Sequence, residues 1–222
     1  MKSLLKGFVL GILTWEAKML LSRTKPKIIA ITGSVGKTST KDAIFEAIKG
    51  KVRARKSEKS QNSEIGVPLS VLGLHNAWSN PFLWAKNIFD GFLLVLFPGR
   101  YPDVLVLEMG VDRPGDMKQL TSWIKPDVVV LTRFPDVPVH VEAFDSPEAV
   151  TAEKLELLNA LKSDGILVFN NDDEQVRDIA ATVRQQAIGY SRYSPSQFHA
   201  EADEVIYKNG FPSGLRFRVE HI

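Results

Sequence analysis

Lys27-Ile28-Ile29-Ala30-Ile31-Thr32-Gly33-Ser34-Val35-Gly36-Lys37-Thr38-Ser39 is the stretch from which the fold can be read. Its first six residues are apolar and β-branched, the pattern of a strand buried on both faces. Two glycines follow, and a helical pattern opens at 38–49. A strand, a glycine loop and a helix N-terminus in this order form an anion site. The glycines let backbone N–H groups curl around phosphates, and the helix end adds partial positive charge. Lys37 is placed to reach the β- and γ-phosphates of a nucleoside triphosphate, and the Thr38 hydroxyl to ligate Mg²⁺. Gly33, Ser34, Val35, Gly36 and Ser39 complete the cradle. The full phosphate-loop template has glycine where Ile31 stands, so this is the shortened form Gly-x-x-Gly-Lys-Thr. The bland alternative is an ordinary glycine-rich turn between strand and helix. Kinases, GTPases, motors and ligases all share such a loop, so the loop alone leaves the reaction open.

The same alternation continues outward. Runs at 103–108, 127–132 and 165–170 read as further buried strands, and 115–124, 146–162 and 173–185 as helices. Ser146 is a natural N-cap before Pro147. The expected fold is an open α/β domain: a mostly parallel sheet with helices on both faces and right-handed crossovers. Ligands in such sheets sit beyond the carboxyl ends of the strands. The end differs. Alternating patterns at 204–208 and 215–220 flank Asn209-Gly210, which predicts an antiparallel hairpin.

Of the 222 residues, 44% are apolar and 24% charged, which excludes a disordered or fibrous chain. With no cysteine, a disulfide scaffold, a thiolate metal site and a cysteine nucleophile are excluded, and a reducing cytoplasm is the natural compartment. The net charge of +2 hides an asymmetry: residues 1–60 hold 14 Lys and Arg against 4 acids. A phosphate loop accounts for a basic front half without any nucleic acid. Residues 1–24 form an expected amphipathic helix, with Leu4, Leu5, Phe8, Val9, Ile12, Leu13, Met19 and Leu20 on one face. A second apolar stretch covers 81–97. Charges interrupt both, so neither reads as a membrane span. Either the two pack on each other or on the domain, or they make peripheral contact with the inner face of a membrane through 1–22 and 81–97.

Several motifs recur in the order found in one family. Besides the loop there are Asn62-Ser63-Glu64-Ile65-Gly66-Val67-Pro68-Leu69, Glu108-Met109-Gly110, and Arg113-Pro114-Gly115-Asp116-Met117. His140-Val141-Glu142-x-Phe144-x-Ser146, Ala152-Glu153-Lys154-Leu155-Glu156 and Asn170-Asn171-Asp172-Asp173 follow. Together they resemble the ATP-dependent Mur ligases, the MurF type above all, over about residues 27–222. The departures are Ser63, where that type has a second Asn, a longer approach to His140 through Thr132-Arg133-Phe134-Pro135, and an apolar insertion at 78–100. The resemblance implies that 25–222 is the central ATP-binding domain of a three-domain ligase, ending before that domain would. The UDP-sugar domain and the amine-binding domain have no counterpart here.

The family's reaction phosphorylates a peptide carboxylate with ATP, and an amine then displaces phosphate to leave an amide. For the MurF type the substrates are UDP-MurNAc-tripeptide and D-Ala-D-Ala. The resemblance makes Glu108 the Mg²⁺ carboxylate beside Thr38 and His140 a ligand to a second Mg²⁺. It makes Lys154 a carbamylated lysine near that ion and Asn170 a neighbour of the adenine. Asn62 and Glu64 would line the phosphate and substrate side. The bland alternatives are a turn carboxylate for Glu108, a loop histidine for His140, a solvated charge face for Lys154 and an Asn-Asp turn at 170–173. Rival functions are another branch, MurE or folylpolyglutamate synthase, and a non-catalytic, membrane-associated nucleotide-binding module. A GTPase is disfavoured because no Asn-Lys-x-Asp motif occurs.

Overall fold

The computed structural model describes residues 3–58, 61–134 and 141–221. In chain order the elements are α1 (Ser3–Thr24), β1 (Lys27–Thr32), α2 (Lys37–Ile48), β2 (Ala54–Lys56), α3 (Gly66–Leu72), α4 (Pro81–Leu96), β3 (Val104–Glu108) and α5 (Asp116–Thr121). Then come β4 (Val128–Leu131), α6 (Pro147–Asn159), β5 (Ile166–Asn170), α7 (Glu174–Thr182), β6 (Gln186–Ser191), β7 (Phe198–Lys208) and β8 (Phe211–His221). One eight-stranded sheet has the order β2-β3-β1-β4-β5-β6-β7-β8. Every neighbouring pair is parallel except β7 and β8. The mostly parallel α/β sheet and the terminal hairpin are as the sequence pattern predicts. The short edge strand β2, the strand β6 and the helix α3 carry patterns too brief for the apolar periodicity to reveal.

The continuous apolar strands are explained by cover on both faces. Ile31, Val106 and Val130 point to one side, where Ile44 and Ile48 of α2 pack on them. Ile28, Ala30, Leu105, Leu107, Val129, Leu131 and Leu167 point to the other, into the larger core that the remaining helices share. The chain leaves β1 for β2 and β3 on one flank and then crosses to β4 on the other. Strand order therefore reverses at β1, and the crevice beyond its carboxyl end is the expected ligand position.

Local signals set the boundaries. Asn80 caps α4 by accepting from the Phe82 and Leu83 N–H groups, with Pro81 in the first turn. Ser146 caps α6 by accepting from Ala149 N–H at 3.2 Å. Asn209 and Gly210 take φ of 53° and 79°, the positive angles of a tight hairpin turn.

α1 differs from the amphipathic expectation. α1 packs on α3 and α4, burying Val9, Leu13, Ala17 and Leu20 together with Glu16. Phe8, Trp15 and Met19 are left exposed on its other side, so both sides of the helix are apolar. The helices meet closely at Gly91, where a Cβ would lie 2.2 Å from Glu16 Oε2. That oxygen is buried without a hydrogen-bond partner among the described residues, and burial pushes the Glu16 carboxyl up to about 7 from an ordinary 4.5. The raised value means that folding takes up a proton between those two pH values, and that above pH 7 the fold holds a carboxylate against its burial. Glu16→Gln should therefore stabilise the protein by about 1–3 kcal/mol at pH 8 and by much less at pH 5. Urea midpoints at the two pH values measure it; an equal change at both would refute the assignment. Among the described residues no helix is long and apolar enough to cross a membrane.

Candidate functional site

The loop 33–36 joins β1 to α2 at the point of strand reversal. Gly33 has φ +139°, and a Cβ there would lie 2.0 Å from Thr132 Oγ1, so only glycine lets the loop run against the end of β4. Gly36 has φ 86° and opens α2 with no side chain in the way of an approaching group. The Ser34 N–H donates to the Arg133 carbonyl at 2.8 Å, which stitches the loop to the segment after β4. The Lys37 ammonium folds back over the loop, donating to the Gly33 and Ser34 carbonyls at 2.9 and 3.3 Å. Val35, Thr38 and Ser39 are exposed at the mouth.

Glu108 ends β3 beside this loop and is 6% exposed. The Thr38 hydroxyl donates to Glu108 Oε2 at 2.9 Å, and the Asn62 amide donates to Oε1 at 3.3 Å. The Glu108 N–H donates to Ser57 Oγ at 3.0 Å, which fixes the backbone behind the carboxylate. Lys41 Nζ lies 3.5 Å from Oε2, and Lys41 is only 2% exposed. It sits one turn beyond Lys37 on α2. Lys41 and Ser57 were missed by sequence reasoning; a lysine inside the first turns of a loop-following helix is the one available signal for the former.

Lys154 overturns the solvated-face alternative. It is 4% exposed, and its ammonium reaches across from α6 to donate to Ser34 Oγ at 3.0 Å. Burial, with the positive charge of Lys37 adding to it, lowers the Lys154 amine to about 8. Its neighbour Glu153 turns the other way and accepts from Met117 N–H at 2.8 Å, tying α6 to the start of α5.

Asn170 ends β5, and its side chain accepts from Asp172 N–H at 3.0 Å, closing the turn. Asp172 accepts from the N–H groups of Arg192, Tyr193 and Ser194. Asp173 caps α7 and also accepts from Phe134 N–H at 3.0 Å. These aspartates hold the walls of two openings. One, of about 630 Å³, is lined by Arg133, Phe134, Thr151, Asp173 and Gln175 among others. The second, of about 420 Å³, is lined by Asn170, Tyr190, Tyr193 and Arg133. Arg133 lines both and pairs with the loop at Val35, so glycine loop and openings form one region. Glu64 stands apart from this cluster, in an ion pair with Lys6 of α1 at 2.6 Å. His140 lies outside the described residues.

Thus Lys37, Thr38, Asn62, Glu108 and Lys154 are brought around one loop, with Asn170 at the neighbouring opening. Among the described residues no group of three His, Cys, Asp or Glu side chains could hold a metal alone. The Thr38 hydroxyl and the Glu108 carboxylate offer a pair of hard oxygen donors at the loop mouth. That suits Mg²⁺, which takes one or two protein oxygens and fills its shell with phosphate and water.

Residues 92–219, more than half the chain, match the Mur ligase middle domain. The chain belongs to the Mur ligase family. The UDP-N-acetylmuramoyl-tripeptide–D-alanyl-D-alanine ligase of Bacillus subtilis is 31% identical over 157 residues, covering 71% of this chain and 29% of that relative. The MurF ligase of Thermotoga maritima, solved in complex with ADP, superposes with a TM-score of 0.67 at 25% identity, over 90% of this chain and 40% of that one. MurF from Acinetobacter baumannii superposes at 0.72 with 17% identity, covering 96% and 40%; at that identity it speaks for the fold alone. This Mur ligase chain spans under a third of the length of the first curated relatives it matches. The glycine loop at 33–36 precedes the matched middle-domain segment, so the family match does not extend to it.

Proposed function

We propose that this chain is the nucleotide-binding part of an ATP- and Mg²⁺-dependent ligase that joins UDP-MurNAc-tripeptide to D-Ala-D-Ala in peptidoglycan precursor synthesis. The observation that carries the reading is the convergence of Lys37, Thr38, Glu108 and Lys154 on one glycine loop. The names of the relatives support the substrate pair.

In this reading the β- and γ-phosphates lie on the N–H groups of 33–39. Lys37 gives up its two carbonyls to reach the phosphate oxygens. Thr38 and Glu108 would hold Mg²⁺, which would supply positive charge beside the transferring phosphoryl group. Lys41 and Asn62 keep the Glu108 carboxylate oriented. The nucleoside lies toward Asn170 and Tyr190. A carboxylate oxygen of the peptide attacks the γ-phosphorus and ADP leaves, giving an acyl phosphate. The amine then attacks the acyl carbon, phosphate departs and the amine proton is released. A cytoplasmic setting suits a reaction that uses ATP and a nucleotide-sugar substrate.

Lys154 fits a carbamate. An amine lowered to about 8 is partly neutral near neutral pH, and the neutral amine is the form that attacks CO₂. A C–N bond forms and the neutral amine releases one proton; counted from the ammonium, two protons leave in all and an anion replaces a cation beside Lys37. The test measures phosphate release from Mg-ATP by the protein carrying this sequence, given the tripeptide and dipeptide substrates. Amide product is expected, with Lys154→Glu retaining more of it than Lys154→Met. Release only with a different acceptor would move the protein to the MurE or folylpolyglutamate branch. ATP binding with no release would make it a non-catalytic module.

A further inference from the structure

α4 is apolar on its buried side and largely aromatic on its exposed side, which the Lys86–Asp90 ion pair interrupts. One side, with Trp84, Gly91 and Val95, is buried against the domain. The other carries Phe82, Phe89 and Phe92, which are 84%, 60% and 44% exposed, and Phe97 follows the helix at 75%. α1 lies alongside it, joined where the Arg23 guanidinium donates to the Val95 carbonyl and where Glu16 abuts Gly91. Its outer stripe adds Phe8 at 66% and Trp15 at 50%, seven residues apart and so on one side of the helix. An exposed aromatic patch of this size marks an interaction surface, and no described element covers it.

The charge around these side chains selects among occupants. Glu16 is the sole acid in residues 1–27, and it is buried. Lys6 and Lys27 are paired with Glu64 and Asp127. Lys18, Arg23 and Lys25 have no acidic partner among the described residues. On α4 the charges of Lys86 and Asp90 cancel in a pair. The exposed aromatic end of the molecule is thus cationic through α1 and the residues that follow it, α4 adding no net charge. Phenylalanine and tryptophan with nearby lysine and arginine, and little acid, is the composition that seats a helix in the boundary between headgroups and acyl chains. At 16 residues α4 is about 24 Å long, short of the ~30 Å hydrocarbon layer, so it suits lying in the plane.

We propose that the outer faces of α1 and α4 dock on the surface of an anionic phospholipid bilayer, aromatic rings at the acyl boundary and Lys18, Arg23 and Lys25 at the headgroups. The docking holds the phosphate loop of the same domain beside the membrane and does not depend on which reaction the loop serves.

Vesicle flotation tests it, with the whole protein and vesicles of phosphatidylcholine alone or mixed with phosphatidylglycerol. The protein is expected to float with the mixed vesicles and to lose that binding as salt rises. Phe82→Ser/Phe89→Ser/Phe97→Ser should weaken flotation by about tenfold or more. Lys18→Glu/Lys25→Glu should abolish the preference for the anionic lipid. Unchanged melting temperature and Mg-ATP binding in these variants show that the fold is intact. Failure of the wild type to float with anionic vesicles overturns the proposal. So does a lipid-free dimer that the phenylalanine variants dissolve, which would assign these faces to a second copy.

Discussion

Glu108→Gln is expected to weaken Mg²⁺-dependent ATP binding by about 100-fold while leaving metal-free nucleotide binding nearly unchanged. Glutamine keeps the shape and the contact with the Thr38 hydroxyl but removes the charge that a hard cation requires. Glu108→Ala should do more, because the carboxylate also faces the buried ammonium of Lys41 at 3.5 Å. Removing one member of a buried ion pair costs about 3–5 kcal/mol, since the other is left without its partner. The nearby Asp42, at 3.7 Å from Lys41, offsets part of that cost. The two effects separate in a double variant. Glu108→Ala/Lys41→Met should recover most of the stability in a urea titration and none of the Mg²⁺-dependent binding in calorimetry. If Glu108→Ala alone unfolds at the wild-type midpoint, the pair is not holding the site. If binding in the glutamine variant still responds to Mg²⁺, the metal lies elsewhere.

The legible part of this site is the part whose chemistry is local in sequence. A strand, two glycines, Lys37 and Thr38 are consecutive, and their arrangement follows from the backbone they dictate. Glu108 could be found because it is an acid at the end of an apolar run, where a strand's carboxyl edge must fall. Lys41 could not, because its role depends on α2 turning it inward toward a strand far away in sequence. Lys154 shows the opposite limit. Its acidic neighbours on α6 suggest a solvated face, yet Glu153 is occupied in capping α5 and Lys154 is buried against Ser34. Charge spacing on a helix does not say which charges meet solvent; the neighbouring elements decide that.

The fold was legible where strands are long and apolar, and less so at the edges. β2 has three residues, Ala54, Arg55 and Lys56, and no apolar pattern, because an edge strand needs only backbone pairing with β3. β6 mixes Gln186, Gly189 and Ser191 with apolar residues, as befits a strand between the buried sheet and an exposed hairpin. α1 was legible as a helix but not as to its faces. The burial of Ala17 and Glu16 and the exposure of Phe8 and Trp15 follow from the close crossing at Gly91, and no periodicity of α1 alone contains that.

Lys37→Ala should cost about 100-fold or more in ATP affinity, and its effect should depend on pH. Two charge-assisted hydrogen bonds to phosphate are worth about 3 kcal/mol together, roughly two decades of affinity. The Lys37 ammonium is held by the Gly33 and Ser34 carbonyls, so the site is organised around a cation. Lys154 feels that cation. Burial and Lys37 hold its amine at about 8, below the ordinary 10.5. A triphosphate arriving beside both lysines favours their charged forms and pulls the Lys154 value upward. At pH 6.5 Lys154 is already protonated, and binding should take up no proton through it. At pH 8.5 much of it is neutral, and binding should take up a fraction of a proton. In Lys37→Ala the free-state amine is less depressed, so the uptake at pH 8.5 shrinks along with the affinity. Calorimetry in CO₂-free buffers of different ionisation enthalpy reads both quantities in one titration. An uptake that is the same at both pH values, or that survives in Lys154→Met, would break the link between the two lysines. An unchanged affinity in Lys37→Ala would remove the phosphates from the loop altogether.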